Sequence, residues 1–327
     1  MKIGAFAVAW SNKPLEEVLD FYVEMGLEAI EIGCGNYPGD AHCNPFELTQ
    51  DARKRKALLQ AVSGRGLIIS ALSCHGNPLH PDSEIARRHH ETWQATAQLA
   101  KQLEVENVIV FSGLPGGAPG DKTPNWITAP WPEDHLKALE YQWNEVAIPY
   151  WKAEARYAAS KGVYACFEMH PNFLVYNPET LIKLRLAVGD KYGERICANF
   201  DPSHLFWQGI NPSKAIRKLS EYGEVIRHVH AKDCRVYEWV ADVYGVLDTK
   251  HYGNEAARAW IFRTVGYGHG EDVWRDIIST LRMVGYDGVL SIEHEDSLMT
   301  ADEGFRKAVE FLKRVIISEP PGEITWA

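Results

Sequence analysis

Short β-branched or apolar runs alternate with longer amphipathic segments along the whole chain, and this alternation restricts the fold to repeated βα units around a parallel sheet. Eight runs stand between polar or glycine punctuation: Ile3–Ala9, Ala29–Gly33, Leu67–Ser73, Asn107–Ser112, Val163–Met169, Ile196–Asp201, Val225–Ala231 and Gly288–Glu293. Eight helical segments fit around them. Their start signals are Pro14, Asp51, Asp82 and Asn211-Pro212, residues that supply a fixed φ or a side-chain acceptor at a first turn. Gly26, Gly66, Gly162 and Gly285 each precede a strand, where a helix commonly ends on the positive φ that glycine adopts without strain. Eight strands predict an α/β fold, a closed (β/α)8 barrel, as one domain over residues 1–327. An open doubly wound sheet would use the same local units, but no GxGxxG follows the first run.

A barrel of this type needs about 250 residues, and the chain has 327, so roughly 75 are surplus. They fall in the connections Cys34–Gln50, Cys74–Asp82, Gly113–His135 and Lys232–Gly268, all of which follow strands. Extended βα loops after strands 2, 4 and 7 are therefore expected on the face that carries the active site in such barrels. The loop after strand 4 contains Trp126 and Trp131, and the loop after strand 7 contains Tyr237, Trp239, Tyr244, Tyr252 and Trp260. These aromatics would pack the loops and also offer faces on which a sugar or aromatic ring can stack, which makes Trp126 a candidate substrate-binding residue.

Charge narrows the partners. Lys and Arg total 34 against 44 Asp and Glu, a net charge of −10, the wrong sign for wrapping a phosphate backbone. Nucleic acid is not an expected partner. The six cysteines include no CxxC pair, a spacing that fits a reducing cytoplasm better than a disulfide framework. No apolar run approaches the length of a membrane span, and Met1-Lys2 leads into a strand-like run rather than a signal peptide. A cytoplasmic protein without a membrane partner is expected. The segment around Trp143, Tyr150 and Trp151 is read as a buried barrel helix, with a homo-oligomer contact as the alternative.

The chemistry gathers at the ends of four consecutive strands. They finish in Glu168-Met169-His170, Asp201-Pro202-Ser203-His204, His228-Val229-His230-Ala231-Lys232-Asp233 and Glu293-His294-Glu295-Asp296. Barrel closure brings these ends around one axis. Glu168, Asp201, His230 and Glu293 then form a mixed oxygen and nitrogen set suited to one divalent metal ion, Mn²⁺ first, with Mg²⁺, Co²⁺ or Zn²⁺ as the other choices. His230 is preferred to His228, and Glu293 to Glu295, because each lies at the better depth for the shared centre. Around that centre His75, His204, Lys232 and Arg235 are candidate substrate-binding residues, with Asp233 beside them. His170 is a candidate proton-transfer group.

The motifs SCHGNPLHP, FEMHP, NFDPSH, HVHAKD and GYDGVLSIEHED resemble the xylose-isomerase-like TIM-barrel superfamily, in the group of sugar phosphate isomerases/epimerases. That group includes ketose 3-epimerases, inosose dehydratase, hydroxypyruvate isomerase and apurinic endonucleases. The resemblance spans nearly the whole chain and implies a TIM barrel whose metal ligands are Glu168, Asp201, His230 and Glu293. It also implies that Glu168 and Glu293 exchange protons with substrate carbon, that His204 contacts substrate, and that Arg235 lies near a substrate-binding Arg. The implied activity is that of a metal-dependent sugar isomerase or epimerase, which abstracts a proton beside a carbonyl through an enediolate on an unphosphorylated sugar or keto-sugar. The alternative is a lyase that performs β-elimination on a 3-oxo-glycoside or dehydrates an inosose, some relatives of this kind working with a small second subunit. The Trp-rich loops and His170 favour that rival. An endonuclease would need a basic groove that the charge does not supply, and a sugar-binding barrel without activity would not need both glutamates.

Overall fold

The computed structural model describes residues 1–320 together with 322, 323 and 325. Ten strands occur in it: β1 Lys2–Phe6, β2 Ala29–Gly33, β3 Ile68–Ser73, β4 Asn107–Val110, β5 Tyr164–Glu168, β6 Ile196–Phe200, β7 Ile226–Ala231, β8 Asp233–Val236, β9 Trp260–Arg263 and β10 Val289–Ile292. Eight of them close into a parallel barrel in the order β1-β10-β7-β6-β5-β4-β3-β2, a (β/α)8 TIM barrel with helices packed outside. The local signals act as the sequence predicts. Asp51, Asp82 and Asn211 cap their helices by accepting backbone N–H bonds from the first turn, and Gly26, Gly66, Gly162 and Gly285 all adopt positive φ. Gly266 needs the same freedom for a second reason: a Cβ there would stand 2.4 Å from the Phe311 ring.

The strands end earlier than the apolar runs. Ala7–Trp10 turns into a 3₁₀ segment, and Met169, Asp201 and Glu293 lie just past the ends of β5, β6 and β10. Pairing stops at the rim because each chain must leave the sheet for its loop, so apolar character outlasts the hydrogen-bonded ladder. Asp201 shows the consequence. Its Oδ1 accepts from Ser203 N at 2.8 Å, capping the short helix Pro202–Phe206.

The long connections acquire structure of their own. A helix, Pro45–Gln50, follows β2. After β4, the helical run from Glu133 to Lys161 is continuous, with a π turn at Gln142–Ala147, and it buries Trp143 and Trp151. The segment after β7 is more ordered than a loop: β8 and β9 pair antiparallel, and a helix, Glu238–Tyr244, lies between them. This hairpin carries a small apolar cluster that includes Trp207, Cys234, Val240, Trp260 and Phe262.

Asp233, placed by the sequence among groups that could meet a polar substrate end, instead fastens this hairpin to the barrel. Its Oδ2 accepts from Gly266 N, Gly268 N, His269 N and Trp274 Nε1, and its Oδ1 lies 2.8 Å from His269 Nδ1. The carboxylate is fully buried and every one of those donors would be orphaned by its removal. Asp233→Ala is expected to destabilise the fold by roughly 3 kcal/mol or more, read as a lower urea midpoint. A loss below about 1 kcal/mol would show that the hairpin is held elsewhere.

Candidate metal centre and active site

Four strand ends place their polar groups on one point. One donor atom each from Glu168, Asp201, His230 and Glu293 can be chosen so that all lie within 4.8 Å of one another. His230 Nδ1 stands 3.2 Å from Glu168 Oε2, 3.0 Å from Glu293 Oε2 and 3.9 Å from Asp201 Oδ2. Three carboxylates at this spacing repel one another strongly at low dielectric. Two atoms facing the cluster, Asp201 Oδ2 and His230 Nδ1, are buried without a hydrogen bond of acceptable geometry. Buried polar atoms are normally satisfied; Lys232 Nζ, 3.0 Å from Asp201 Oδ2, brings charge to that side alone, and a metal cation fits as a partner that both atoms would share.

The orientation of His230 comes from a residue that the strand-end reading omits. Its Nε2 lies 3.1 Å from both oxygens of Glu31. Glu31 is fully buried on β2 and also accepts from Ser73 Oγ at 2.5 Å and Ser291 Oγ at 2.6 Å. Burial would raise its pKa, but the His230 and His228 rings and Ser291 outweigh that and hold it at about 2. An ionised carboxylate only accepts, so Nε2 carries the proton and Nδ1 is left for the cluster. Burial lowers the pKa of His230, whereas Glu31, Glu293 and Glu168 raise it well above its ordinary value; a proton and a cation would compete for Nδ1. One sequence signal pointed to Glu31: a charge inside Ala29-Ile30-Glu31-Ile32-Gly33 is costly unless paired.

Glu168 is clamped. His75 Nε2 lies 3.0 Å from Oε2, His204 Nε2 lies 2.9 Å from Oε1, and Asn199 donates to Oε2 at 3.3 Å. Both histidines expected at substrate therefore spend their Nε2 on this carboxylate. Glu293 is freer: only its Oε2 takes part in the contacts with Lys232 and His230. His228 is buried below the centre, pushed down to about 4 by burial, and bridges Asn199 Oδ1 and Ser70 Oγ.

Lys232, expected to meet a polar substrate end, lies inside the cluster. It is 2% exposed, with Nζ 3.0 Å from Asp201 Oδ2, 2.6 Å from Glu293 Oε2 and 3.0 Å from Glu295 Oε2. Burial opposes its charge, yet these carboxylates raise its pKa well above the usual lysine value. It offsets part of the anionic charge and would repel an incoming cation. Lys232→Met is therefore expected to lower the melting temperature of metal-free protein and to bind Mn²⁺ about tenfold more tightly or better, by calorimetric titration. Weaker Mn²⁺ binding would mean that Lys232 organises the ligands instead of competing with the ion.

Two cavities meet at His170. One, of about 330 Å3, is walled by Phe6, His75, Phe111, Glu168, Lys232 and Glu293. The other, of about 260 Å3, includes Trp126, His204, Trp207 and Tyr252 in its walls. His170 lines both. Its Nδ1 faces the Pro171 carbonyl oxygen, which can only accept, so Nδ1 carries the proton. Burial and the neighbouring His204 ring push its pKa down to about 3. The ring is thus neutral with an unprotonated Nε2, suited to accept a hydrogen bond rather than to gain or give a proton. Arg235 lines neither cavity: it is exposed on the hairpin and donates to the Gly268 carbonyl at 3.2 Å.

Residues 19–315 match the model of the xylose isomerase-like TIM barrel family. The chain belongs to that family. It is 41% identical over 319 residues, covering 97% of this chain and 99% of the other, to the uncharacterized protein YfiH of Bacillus subtilis strain 168. Among solved structures it resembles the probable 3-DHS dehydratase AsbF of Bacillus anthracis, with a TM-score of 0.65 and 17% identity over 96% of this chain and 99% of that one. A D-tagatose 3-epimerase-like protein gives a TM-score of 0.62 and 20% identity over 96% and 98% of the two chains. At these identities the structural likeness establishes the fold. Among the described residues of this family member, no helix is long and apolar enough to cross a membrane.

Proposed function

We propose that the protein is a divalent-metal-dependent isomerase or epimerase of an unphosphorylated sugar or keto-sugar, working in the cytoplasm. The observation that carries this reading is the convergence of Glu168, Asp201, His230 and Glu293, one donor atom from each lying within 4.8 Å of the others. These four residues would hold the ion, Mn²⁺ in the first instance and Mg²⁺, Co²⁺ or Zn²⁺ otherwise. A bound divalent cation would supply Lewis acidity, lowering the cost of negative charge on the substrate's carbonyl oxygen.

The chain's own residues divide the remaining work. Glu293 has an uncommitted oxygen beside the first cavity and takes the proton from carbon next to the carbonyl. Glu168, tied to three donors, keeps its position while charge moves. Phe6 and Phe111 line that cavity with apolar surface and exclude water from the reacting carbon. Return of the proton to the opposite face, or to the neighbouring carbon, separates epimerisation from isomerisation. A second reading, β-elimination by a lyase, is favoured by the two cavities that meet at His170: a sugar in the first leaves room for a leaving group in the second, with the unprotonated Nε2 of His170 as a hydrogen-bond acceptor between them.

The test is metal analysis of the purified protein, then deuterium incorporation from D₂O into a panel of free ketoses and 3-oxo-glycosides, comparing wild type with Glu168→Gln. Deuterium in recovered sugar, absent with the variant, supports the first reading. Release of an aglycone with an unsaturated keto-sugar would move the protein to the lyases. No bound metal and no exchange would leave a binding barrel.

A further inference from the structure

The barrel interior next to Glu168 is polar where barrels of this type are usually filled with branched apolar side chains. Strand register makes it so: Glu168 on β5 lies opposite Asn199 on β6, and Asn199 lies opposite His228 on β7. All three are buried. Asn199 Nδ2 donates to Glu168 Oε2 at 3.3 Å, Asn199 Oδ1 lies 2.9 Å from His228 Nδ1, and His228 Nε2 lies 3.2 Å from Ser70 Oγ on β3, across the barrel. Buried polar groups cost free energy unless their donors meet acceptors, and that requirement gives the chain a direction. A carboxylate only accepts, so Asn199 turns its NH₂ to Glu168 and its oxygen to His228. The amide oxygen only accepts in turn, which places a ring proton on Nδ1. Ser70 Oγ also reaches the Ile30 carbonyl at 3.3 Å, and its hydroxyl can instead donate to Nε2. The other charge facing the ring, Glu31 Oε2, is 3.9 Å from Nε2, beyond hydrogen-bond reach.

We propose that Asn199 is a positioning residue for Glu168, and that His228, braced by Ser70, sets the direction of the Asn199 amide. The inference rests on the proposed reading of the metal centre, in which Glu168 is one of four ligands. A ligating carboxylate has to keep one orientation, and groups that hydrogen-bond such a ligand contribute to metal affinity. His75 and His204, which line the cavities, hold Glu168 on one side, and Asn199 holds it from the neighbouring strand. An amide free to turn would set its oxygen against Oε2, acceptor against acceptor, and displace the carboxylate. The Nδ1 proton of His228 removes that alternative, because a turned amide would present its NH₂ to an N–H. The role belongs to one atom. Leucine at position 228 would fill the space but donate nothing, whereas asparagine keeps a nitrogen on Cγ close to the place of Nδ1. A residue that only packed the barrel would favour leucine.

The test uses full-length protein labelled with ¹⁵N-histidine, first without metal. The His228 ring is assigned by its loss in His228→Asn or, should that variant not fold, by the shift that Ser70→Ala imposes on it. Nδ1 is expected to carry a proton. A proton on Nε2 alone overturns the proposal. Calorimetric Mn²⁺ titration then compares wild type with two variants. His228→Leu is expected to bind Mn²⁺ about tenfold more weakly than wild type or worse, and His228→Asn to stay within about threefold of it. Equal affinities in the two variants, or a greater loss in His228→Asn, would mean that His228 only fills space and would overturn the positioning role. Where a variant does not fold, the ring proton of the wild type still decides. The two readings fail separately. Wild-type protein that binds no Mn²⁺ would sink the metal reading while a protonated Nδ1 upholds the direction of the amide, and Mn²⁺ binding with a bare Nδ1 would sink the positioning role alone.

Discussion

Glu293→Gln is expected to lower deuterium exchange into a responsive substrate by roughly 10²- to 10⁴-fold while leaving one divalent cation bound. The amide keeps an oxygen that can face a cation but loses the basicity needed to take a proton. The contacts of Glu293 permit this separation: Oε2 is engaged by Lys232 and His230, and the rest of the group opens on the first cavity. Glu168→Gln should behave differently. Its oxygens meet donors from His75, His204 and Asn199, so an amide NH₂ would face a donor whichever way it turned, and both metal content and exchange should fall. Metal stoichiometry and exchange rate, measured on both variants, decide the matter. If Glu293→Gln exchanges at the wild-type rate, Glu293 is not the base.

The second large effect is expected at a residue that touches neither cavity. Glu31→Ala strips His230 Nε2, Ser73 Oγ and Ser291 Oγ of a common acceptor in a fully buried position. Breaking one side of such a buried pair costs about 3–5 kcal/mol, and loss of the group that orients a ligating imidazole typically weakens metal binding about 10- to 100-fold. Denaturant unfolding and Mn²⁺ titration read the two losses separately. The acid response gives a further check. The folded carboxyl is held at about 2 against an ordinary 4.5, so its contribution to stability is complete above the ordinary value and is lost as the pH falls toward 2. Glu31→Ala should lack that part of the acid sensitivity of the wild type. An alanine variant with unchanged stability and Mn²⁺ affinity would show that His230 is positioned by its strand alone.

Much of the molecule was legible because the responsible forces are local. A helix start needs an acceptor within three residues, and Asp51, Asp82 and Asn211 supply one; a helix end needs positive φ, and Gly26, Gly66, Gly162 and Gly285 supply it. Counting strands then led to the barrel. Barrel closure in turn placed Glu168, Asp201, His230 and Glu293 together, since each stands within one residue of the end of one of four neighbouring strands.

Other assignments depended on partners far away in the chain. Glu31 reads as an isolated acid until β2 is closed against the barrel and meets His230, 199 residues later. Lys232 and Asp233 are adjacent and both charged, yet one turns into the carboxylate cluster and the other into the hairpin's backbone amides. Arg235, two residues further on, stays outside. No local rule separates these three, because alternation along an extended strand is interrupted where β7 gives way to β8.

The sequence by itself determined the repeat of βα units, the closed barrel and the strand ends that carry the polar cluster, because periodicity and capping act over a few residues. The tertiary structure alone decided which charges are buried against which. It turned the segment after β7 into a hairpin, brought Glu31 under His230, and set Asn199 between Glu168 and His228. Those outcomes depend on desolvation and pairing between residues far apart in the chain, and such energies exist only once the barrel has closed.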